Sequence, residues 1–104
     1  MTQAPVQPAK EPLSGRIALV TGASRRAGIG FAIARRLAAL GADLFLHSWA
    51  PFDATTPWGA DPSGPEGILD ELRQTGRRVE HMAVDFLDPS APERVVSAAF
   101  DAFG

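Results

Sequence analysis

The chain has 104 residues, 45% hydrophobic and 21% charged, a composition typical of one small soluble globular domain rather than of a disordered chain. The net charge of -2 lacks the basic surface that nucleic-acid binding requires, so we expect no nucleic-acid partner. Cysteine is absent, which excludes disulfides and thiolate metal sites and favours a cytoplasmic location. No stretch approaches the roughly 20 consecutive apolar residues of a membrane span, so no membrane partner is expected.

The N-terminal stretch, residues 1–14, is rich in proline, glutamine and alanine and lacks the apolar run of a signal peptide. We expect it to be a disordered lead-in. Residues 16–20 (Arg-Ile-Ala-Leu-Val) are short, apolar and partly β-branched, and Gly22 follows them closely. This pattern predicts a first strand that is buried on both faces.

A helix and a second strand are predicted next. Residues 29–40 carry apolar side chains at helical spacing, namely Ile29, Ile33, Leu37 and Leu40, and Gly41 supplies a C-terminal stop. Residues 43–49 are again an apolar stretch of strand length. Residues 50–67 hold several prolines and glycines, so we interpret them as a long inserted loop. Three aromatic residues of this region, Trp49, Phe52 and Trp58, are expected to pack the loop onto the sheet edge, and the alternative is contact with a ligand.

The remainder of the chain repeats the alternation. Residues 66–75 predict a short helix, residues 79–84 a third strand, and Asp88-Pro89-Ser90 the start of a final helix. Alternating strands and helices imply parallel strands joined by right-handed crossovers, with helices on both faces of the sheet. The predicted fold class is therefore α/β, a three-layer, doubly wound parallel sheet in the order βαβαβα. This is about one half of a complete dinucleotide-binding fold.

The most informative motif is Thr21-Gly-Ala-Ser-Arg-Arg-Ala-Gly-Ile-Gly30, between the first strand and the first helix. Gly22 allows a tight exit from the strand, while Gly28 and Gly30 allow close approach of the backbone to a pyrophosphate and of the helix to the sheet. The helix N-terminus presents free N–H groups to phosphates. Alternatively, the glycines only form a turn. A Walker A loop is excluded, because no Gly-Lys-Ser/Thr follows.

This motif resembles the first loop of the short-chain dehydrogenase/reductase family, Thr-Gly-x-x-x-Gly-x-Gly. Here five residues, not three, separate Gly22 from Gly28, which is similar to 3-oxoacyl-carrier-protein reductase-like members. The resemblance extends from Leu13 onward and covers the N-terminal portion of the family only. It implies that residues 15–104 are a partial, Rossmann-type NAD(P)-binding domain. The loop contacts to the cofactor are then expected from Gly22, Ser24, Arg25, Arg26, Gly28, Ile29 and Gly30.

A second family feature lies at Val84-Asp85-Phe86, just beyond the third strand. The resemblance implies that Asp85 accepts a hydrogen bond from the adenine amino group and that the backbone of Phe86 completes the adenine contact. A carboxylate at the C-terminal end of a strand also lies where ligands bind in such folds. Alternatively, Asp85 only caps the next helix, although Asp88 is the better candidate for a cap.

The cofactor is expected to be NADP, with NAD less favoured. The second strand ends His47-Ser48-Trp49, without the carboxylate that would hold the ribose hydroxyls of NAD. Arg25 and Arg26 would attract a 2'-phosphate beside His47. Alternatively, the arginines are solvated and His47 is a packed polar residue at the strand end. No metal site is expected, because His47 and His81 are far apart in the sequence.

The resemblance implies hydride transfer between nicotinamide and a carbonyl or alcohol, with tyrosine as acid or base and lysine, serine and asparagine assisting. This chain contains neither tyrosine nor asparagine, and its only lysine is Lys10, so no catalytic residue is assigned. We expect a fragment that is inactive alone, and the substrate, a 3-oxoacyl thioester for instance, stays open. The family is usually homo-oligomeric, and self-association through an exposed sheet edge is expected here. The alternative is a non-catalytic nucleotide-binding or interaction module.

Overall fold

The computed structural model describes residues 11–104. Their elements are, in chain order, β1 (Ile17–Val20), α1 (Ile29–Ala39), β2 (Asp43–Ser48), α2 (Ala50–Ala54), α3 (Gly64–Arg73), β3 (Val79–Ala83) and α4 (Ala91–Phe103). The strands form one parallel sheet in the order β1-β2-β3. The sheet has helices on both faces, so the predicted doubly wound α/β class is confirmed. None of the helices in this range is long and apolar enough to cross a membrane.

The central strand is β2, and its sequence explains its position. All its residues from Leu44 to Ser48 are buried, as expected for a strand that has a neighbour on each side and helices on both faces. Phe45 pairs with Leu19 of β1 on one side and with Glu80 of β3 on the other. Full burial of Leu44 and Leu46 contributes roughly 1.5–3 kcal/mol each.

One face of the sheet is covered by α1 and α3. Ala34 and Ala38, one helical turn apart, are fully buried, and their small side chains let α1 lie close to the strands. The core on this face is completed by Phe31, Leu44, Leu46, Ile68, Leu69, Leu72 and Val79. The predicted helical spacing of α1 is therefore present, but its buried stripe differs: Ile29 and Ile33 are 80% and 48% exposed.

The other face of the sheet is covered by α4, which contacts both β3 and β1. Phe45 and Val95 are the centre of this smaller core. The prediction that β1 is buried on both faces is wrong, because Ile17 and Leu19 are 48% and 38% exposed. The physical reason is that β1 is an edge strand in residues 11–104 and that α4 covers its outer face only in part.

The prediction that residues 50–67 are a loop without secondary structure is wrong in part. A short helix, α2, begins directly after β2, and α3 begins at Gly64, earlier than expected. Pro51 and Pro65 lie in the first turns of α2 and α3, where a proline costs no hydrogen bond. Two of the prolines that indicated a loop are thus located at helix starts.

Residues 1–10 of the predicted lead-in lie outside the described residues, and residues 11–14 lie within them. The Leu13 amide donates to the Leu40 carbonyl at 2.9 Å, and Glu11 forms an ion pair with Arg77 at 2.7 Å. The first contact fastens the turn before β1 to the C-terminal end of α1, and the second fastens it to the turn between α3 and β3.

Candidate functional site

The loop between β1 and α1 approaches the sheet closely. Gly22 has a φ of +70°, a left-handed conformation that favours glycine. A Cβ atom on Gly30 would lie 2.6 Å from the Gly22 carbonyl oxygen, so only glycine fits there without a backbone shift. The first turn of α1 is thereby held directly against the exit of β1.

The N-terminus of α1 has no neutralising group of its own. Its N-cap, Gly28, provides no side-chain hydrogen bond, and its first turn has no acidic residue. In contrast, α2, α3 and α4 each carry one in the first turn: Asp53, Glu66 and Glu93. The first N–H groups of a helix lack intrahelical partners and carry partial positive charge. This end of α1 is therefore suited to bind an anion.

Two open clefts meet at the C-terminal ends of the strands. The strand-end cleft, about 640 Å³, runs between the ends of β2 and β3 and is lined by Trp49, Phe52, Asp85 and Phe86, among others. The loop cleft, about 380 Å³, lies over the β1–α1 loop and is lined by Arg25, Gly28, Ile29, Gly30 and Trp58, among others. Both clefts share Gly22, Ser24 and Asp53. Together they offer a continuous surface with the size of a ligand site.

His47 connects all three strand ends. Its Nδ1 atom accepts the Gly22 amide at 3.1 Å, and its Nε2 atom lies 2.8 Å from the Val84 carbonyl oxygen. This pair of contacts assigns the neutral tautomer with the proton on Nε2. The imidazole also stacks on Phe86, with ring centroids 3.9 Å apart. His47 is buried and both its nitrogens are used within the protein, so it positions the cleft walls.

The β3–α4 turn places two of the predicted residues on the strand-end cleft. The Asp85 carboxylate accepts the Leu87 amide at 2.9 Å, which shapes the turn but does not cap α4. Asp88 instead accepts the Ser90 amide, just before α4, and pairs with Arg94 at 3.2 Å. Hydrogen bonds from the Ser90 amide and hydroxyl lower the pKa of Asp88. The prediction of Asp88 as the helix cap is wrong, because the N-cap of α4 is Ser90 and no side chain makes a capping hydrogen bond there.

The two arginines of the loop have different surroundings. The Arg25 guanidinium lies 5.5 Å from the ring centroid of Trp58 and faces the loop cleft. Arg26 turns away: its backbone amide donates to the Asp61 carboxylate at 2.7 Å, its Nε forms an ion pair with the same group, and its Nη1 lies 3.6 Å from Glu71. Arg26 lines neither cleft.

The Asp61 side chain is only 5% exposed. Burial alone would raise the pKa of its carboxyl, but the Arg26 amide and the Ser63 amide and hydroxyl all donate to it, and the pKa is held well below its ordinary value. Asp61 is thus a charged, fixed anchor for the β1–α1 loop.

Nine of the ten predicted binding residues line the clefts, all except Arg26. The predicted set of binding residues contains neither Asp53 nor Asp61. Asp53 is buried and hydrogen-bonded to the Ser24 hydroxyl, although its place in the sequence is well beyond β2. The expected packing of the aromatic residues onto the sheet edge is wrong for Phe52 and Trp58, which are 62% and 58% exposed. Only the unusual density of acidic and aromatic residues after β2 could have signalled these contacts.

Comparisons with known proteins agree on one family. No protein-family model matches the chain. A cyclohexanol dehydrogenase of Rhodococcus is 36% identical over 98 residues, which are 89% of this chain and 34% of the relative. The similar curated and solved proteins are oxidoreductases of the short-chain dehydrogenase/reductase family. The chain spans about a third of the length of the curated relatives that it matches.

Two solved structures illustrate the similarity in fold. A 3-oxoacyl-(acyl-carrier-protein) reductase of Agrobacterium tumefaciens with NADP bound has a TM-score of 0.71 and 29% identity, covering 97% of this chain and 34% of that one. A carveol dehydrogenase of Mycobacterium avium in complex with NAD has a TM-score of 0.72 and 26% identity, covering 86% of this chain and 32% of that one. The neighbours therefore bind NADP or NAD.

Proposed function

Since the chain belongs to the short-chain dehydrogenase/reductase family and matches its N-terminal portion, we propose that it forms the cofactor-binding part of an NADP(H)-dependent oxidoreductase. The observation that carries this proposal is the junction of the two clefts at the uncapped N-terminus of α1. The residues present fit a dinucleotide, because Gly30 leaves room for no side chain at the point where α1 meets the β1 exit.

The contacts divide along the two clefts. The N–H groups around Gly28, Ile29 and Gly30 would hold the pyrophosphate over the helix N-terminus. Asp85 and Phe86, on the strand-end cleft, would hold the adenine. Asp85 keeps acceptor capacity for a ligand, since in residues 11–104 its carboxylate meets one backbone amide only.

The preference for NADP(H) over NAD(H) rests on Arg25. This guanidinium lines the loop cleft and has no carboxylate within ion-pairing distance in residues 11–104, so its charge is available to a 2'-phosphate. Arg26 does not add to this charge, because Asp61 and Glu71 compensate it. The preference for NADP(H) is thus supported by Arg25 alone and not by both arginines, as the sequence predicted.

For the whole protein we propose hydride transfer between nicotinamide and a carbonyl or alcohol, with a 3-oxoacyl thioester as one candidate substrate. The bound cofactor supplies the hydride chemistry, and these residues supply binding and orientation. The family's acid–base tyrosine has no counterpart in this chain, so the chain alone is expected to have no dehydrogenase turnover. The cysteine-free composition supports a cytoplasmic location.

The experiment that tests the proposal is isothermal titration of the purified chain with NADPH and, separately, with NADH. We expect micromolar binding that favours NADPH. Arg25→Ala should weaken NADPH binding about tenfold and leave NADH binding nearly unchanged, because a charge-assisted contact to phosphate is lost. Arg35→Ala is the matched control, because Arg35 is an exposed arginine of α1 that lines neither cleft. Absence of binding by either dinucleotide to the folded chain contradicts the proposal.

A further inference from the structure

Two unusual features of this sequence meet in space. The first is the lengthened β1–α1 loop, and the second is the inserted segment, which we define as residues 50–66. Three consecutive loop residues each meet one side chain of the inserted segment: Ser24 with Asp53, Arg25 with Trp58, and Arg26 with Asp61. Three of the five residues between Gly22 and Gly28 are thus held by groups of the inserted segment.

These contacts give the two arginines separate roles. Asp61 binds both the backbone amide and the side chain of Arg26, and it is itself held as an anion by Ser63. Arg26 therefore fixes the loop and contributes no free charge to the clefts. Arg25 remains as the one loop cation that faces the loop cleft, and Trp58 lines the same cleft beneath it.

Trp58 restricts the Arg25 guanidinium without neutralising it. An aromatic face attracts a cation but leaves its N–H donors free at the ring edge, in contrast to a carboxylate, which would occupy them. An arginine held over a ring also loses less conformational freedom when it binds a phosphate. Asp53, whose charge is opposite to that of Arg25, lines the same cleft. The charge that a ligand meets there therefore depends on the orientation of Arg25.

We propose that the inserted segment sets the cofactor preference of this site: Trp58 presents Arg25 to the 2'-phosphate of the cofactor, while Asp61 withdraws Arg26. This inference rests on the proposed function. Trp58 and Asp61 are positioning residues in it. If Arg25 leaves the ring, Asp53 becomes the dominant charge of the cleft, which repels a 2'-phosphate and favours a ribose with free hydroxyls.

The test compares NADPH and NADH binding by isothermal titration in matched variants. Trp58→Leu keeps an apolar side chain but removes the aromatic face, whereas Trp58→Phe keeps a ring. Trp58→Leu is expected to weaken NADPH binding about threefold, with NADH binding unchanged or stronger, and Trp58→Phe is expected to stay close to the unchanged chain. Since Trp58 is 58% exposed, neither variant should impair folding, which circular dichroism verifies.

The arginine pair supplies the second comparison. Arg25→Ala is expected to abolish the preference for NADPH, whereas Arg26→Ala removes the same charge and is expected to change both affinities by the same factor. Equal effects of Trp58→Leu on NADPH and NADH, or an NADPH preference lost in Arg26→Ala, would overturn this inference while leaving cofactor binding intact. Absence of dinucleotide binding by the unchanged chain would overturn the proposed function, and this inference with it.

Discussion

Gly30 is the residue whose side-chain position is most restricted by the fold. A Cβ atom there would lie 2.6 Å from the Gly22 carbonyl oxygen, a backbone atom that cannot move alone. We expect Gly30→Ala to lower the free energy of unfolding by about 1–3 kcal/mol through overpacking. Urea denaturation measures this change. Gly28→Ala is the control, because its Cβ would lie 3.2 Å from the nearest atom, the Arg25 carbonyl oxygen, and equal losses in both variants would contradict the argument.

Asp61 predicts a pH dependence of stability. Its pKa is lower in the folded chain than in the unfolded chain, so its ionisation stabilises the fold above the unfolded pKa of about 3.9, and that stability is lost as pH falls toward the folded pKa. Asp61→Asn is expected to lower the free energy of unfolding by about 1 kcal/mol at pH 7. The difference in the free energy of unfolding between Asp61→Asn and the unchanged chain should shrink at pH 3. Denaturation curves at both pH values measure it, and a difference that grows toward pH 3 would contradict the sign.

At the scale of single residues, sequence reasoning identified the glycine positions and missed the acidic anchors. Gly22, Gly28 and Gly30 could be predicted because their spacing reflects backbone constraints within one short loop. Asp53 and Asp61 act on residues 29 and 35 positions away, and these contacts depend on the path of the whole inserted segment. Charge pairing at such separations leaves no periodic signal in the sequence.

At the scale of elements, helical periodicity located α1 but not the face that it buries. Ile29 and Ile33 share helical spacing with the residues that pack on the sheet, yet the buried stripe consists of Phe31, Ala34 and Ala38. Small residues are favoured where a helix must lie close to a strand, so alanine rather than isoleucine marked the contact. Similarly, α2 was not predicted, because a five-residue helix with a proline in its first turn looks like a loop in the sequence.

At the scale of the whole molecule, an apolar patch remains on the outer face of β1 and α4. It contains Ile17, Leu19, Val96 and Phe100, the last being 71% exposed. An unpaired strand edge beside an apolar patch favours association between chains. We therefore expect the purified chain to self-associate at micromolar concentration, as sedimentation velocity would show by a concentration-dependent increase in mass.

The same patch can be tested by one charged substitution. Phe100→Glu is expected to shift the chain toward monomer, because a carboxylate in the contact would lose its hydration. Leu87→Glu is the matched control, since Leu87 is 89% exposed but lies at the strand-end cleft, away from the patch. A chain that remains monomeric at every concentration, or equal effects of both variants, would contradict an interface on this patch.

The two hydrogen bonds of the His47 imidazole also affect how the two clefts respond to each other. The imidazole is a rigid ring bonded at one nitrogen to Gly22, which both clefts share, and at the other to Val84, next to the wall that bears Asp85 and Phe86. A displacement of one wall that keeps both hydrogen bonds must move the other wall as well. We therefore expect that ordering by one end of a dinucleotide lowers the cost of ordering for the other end, with the same coupling free energy in both directions.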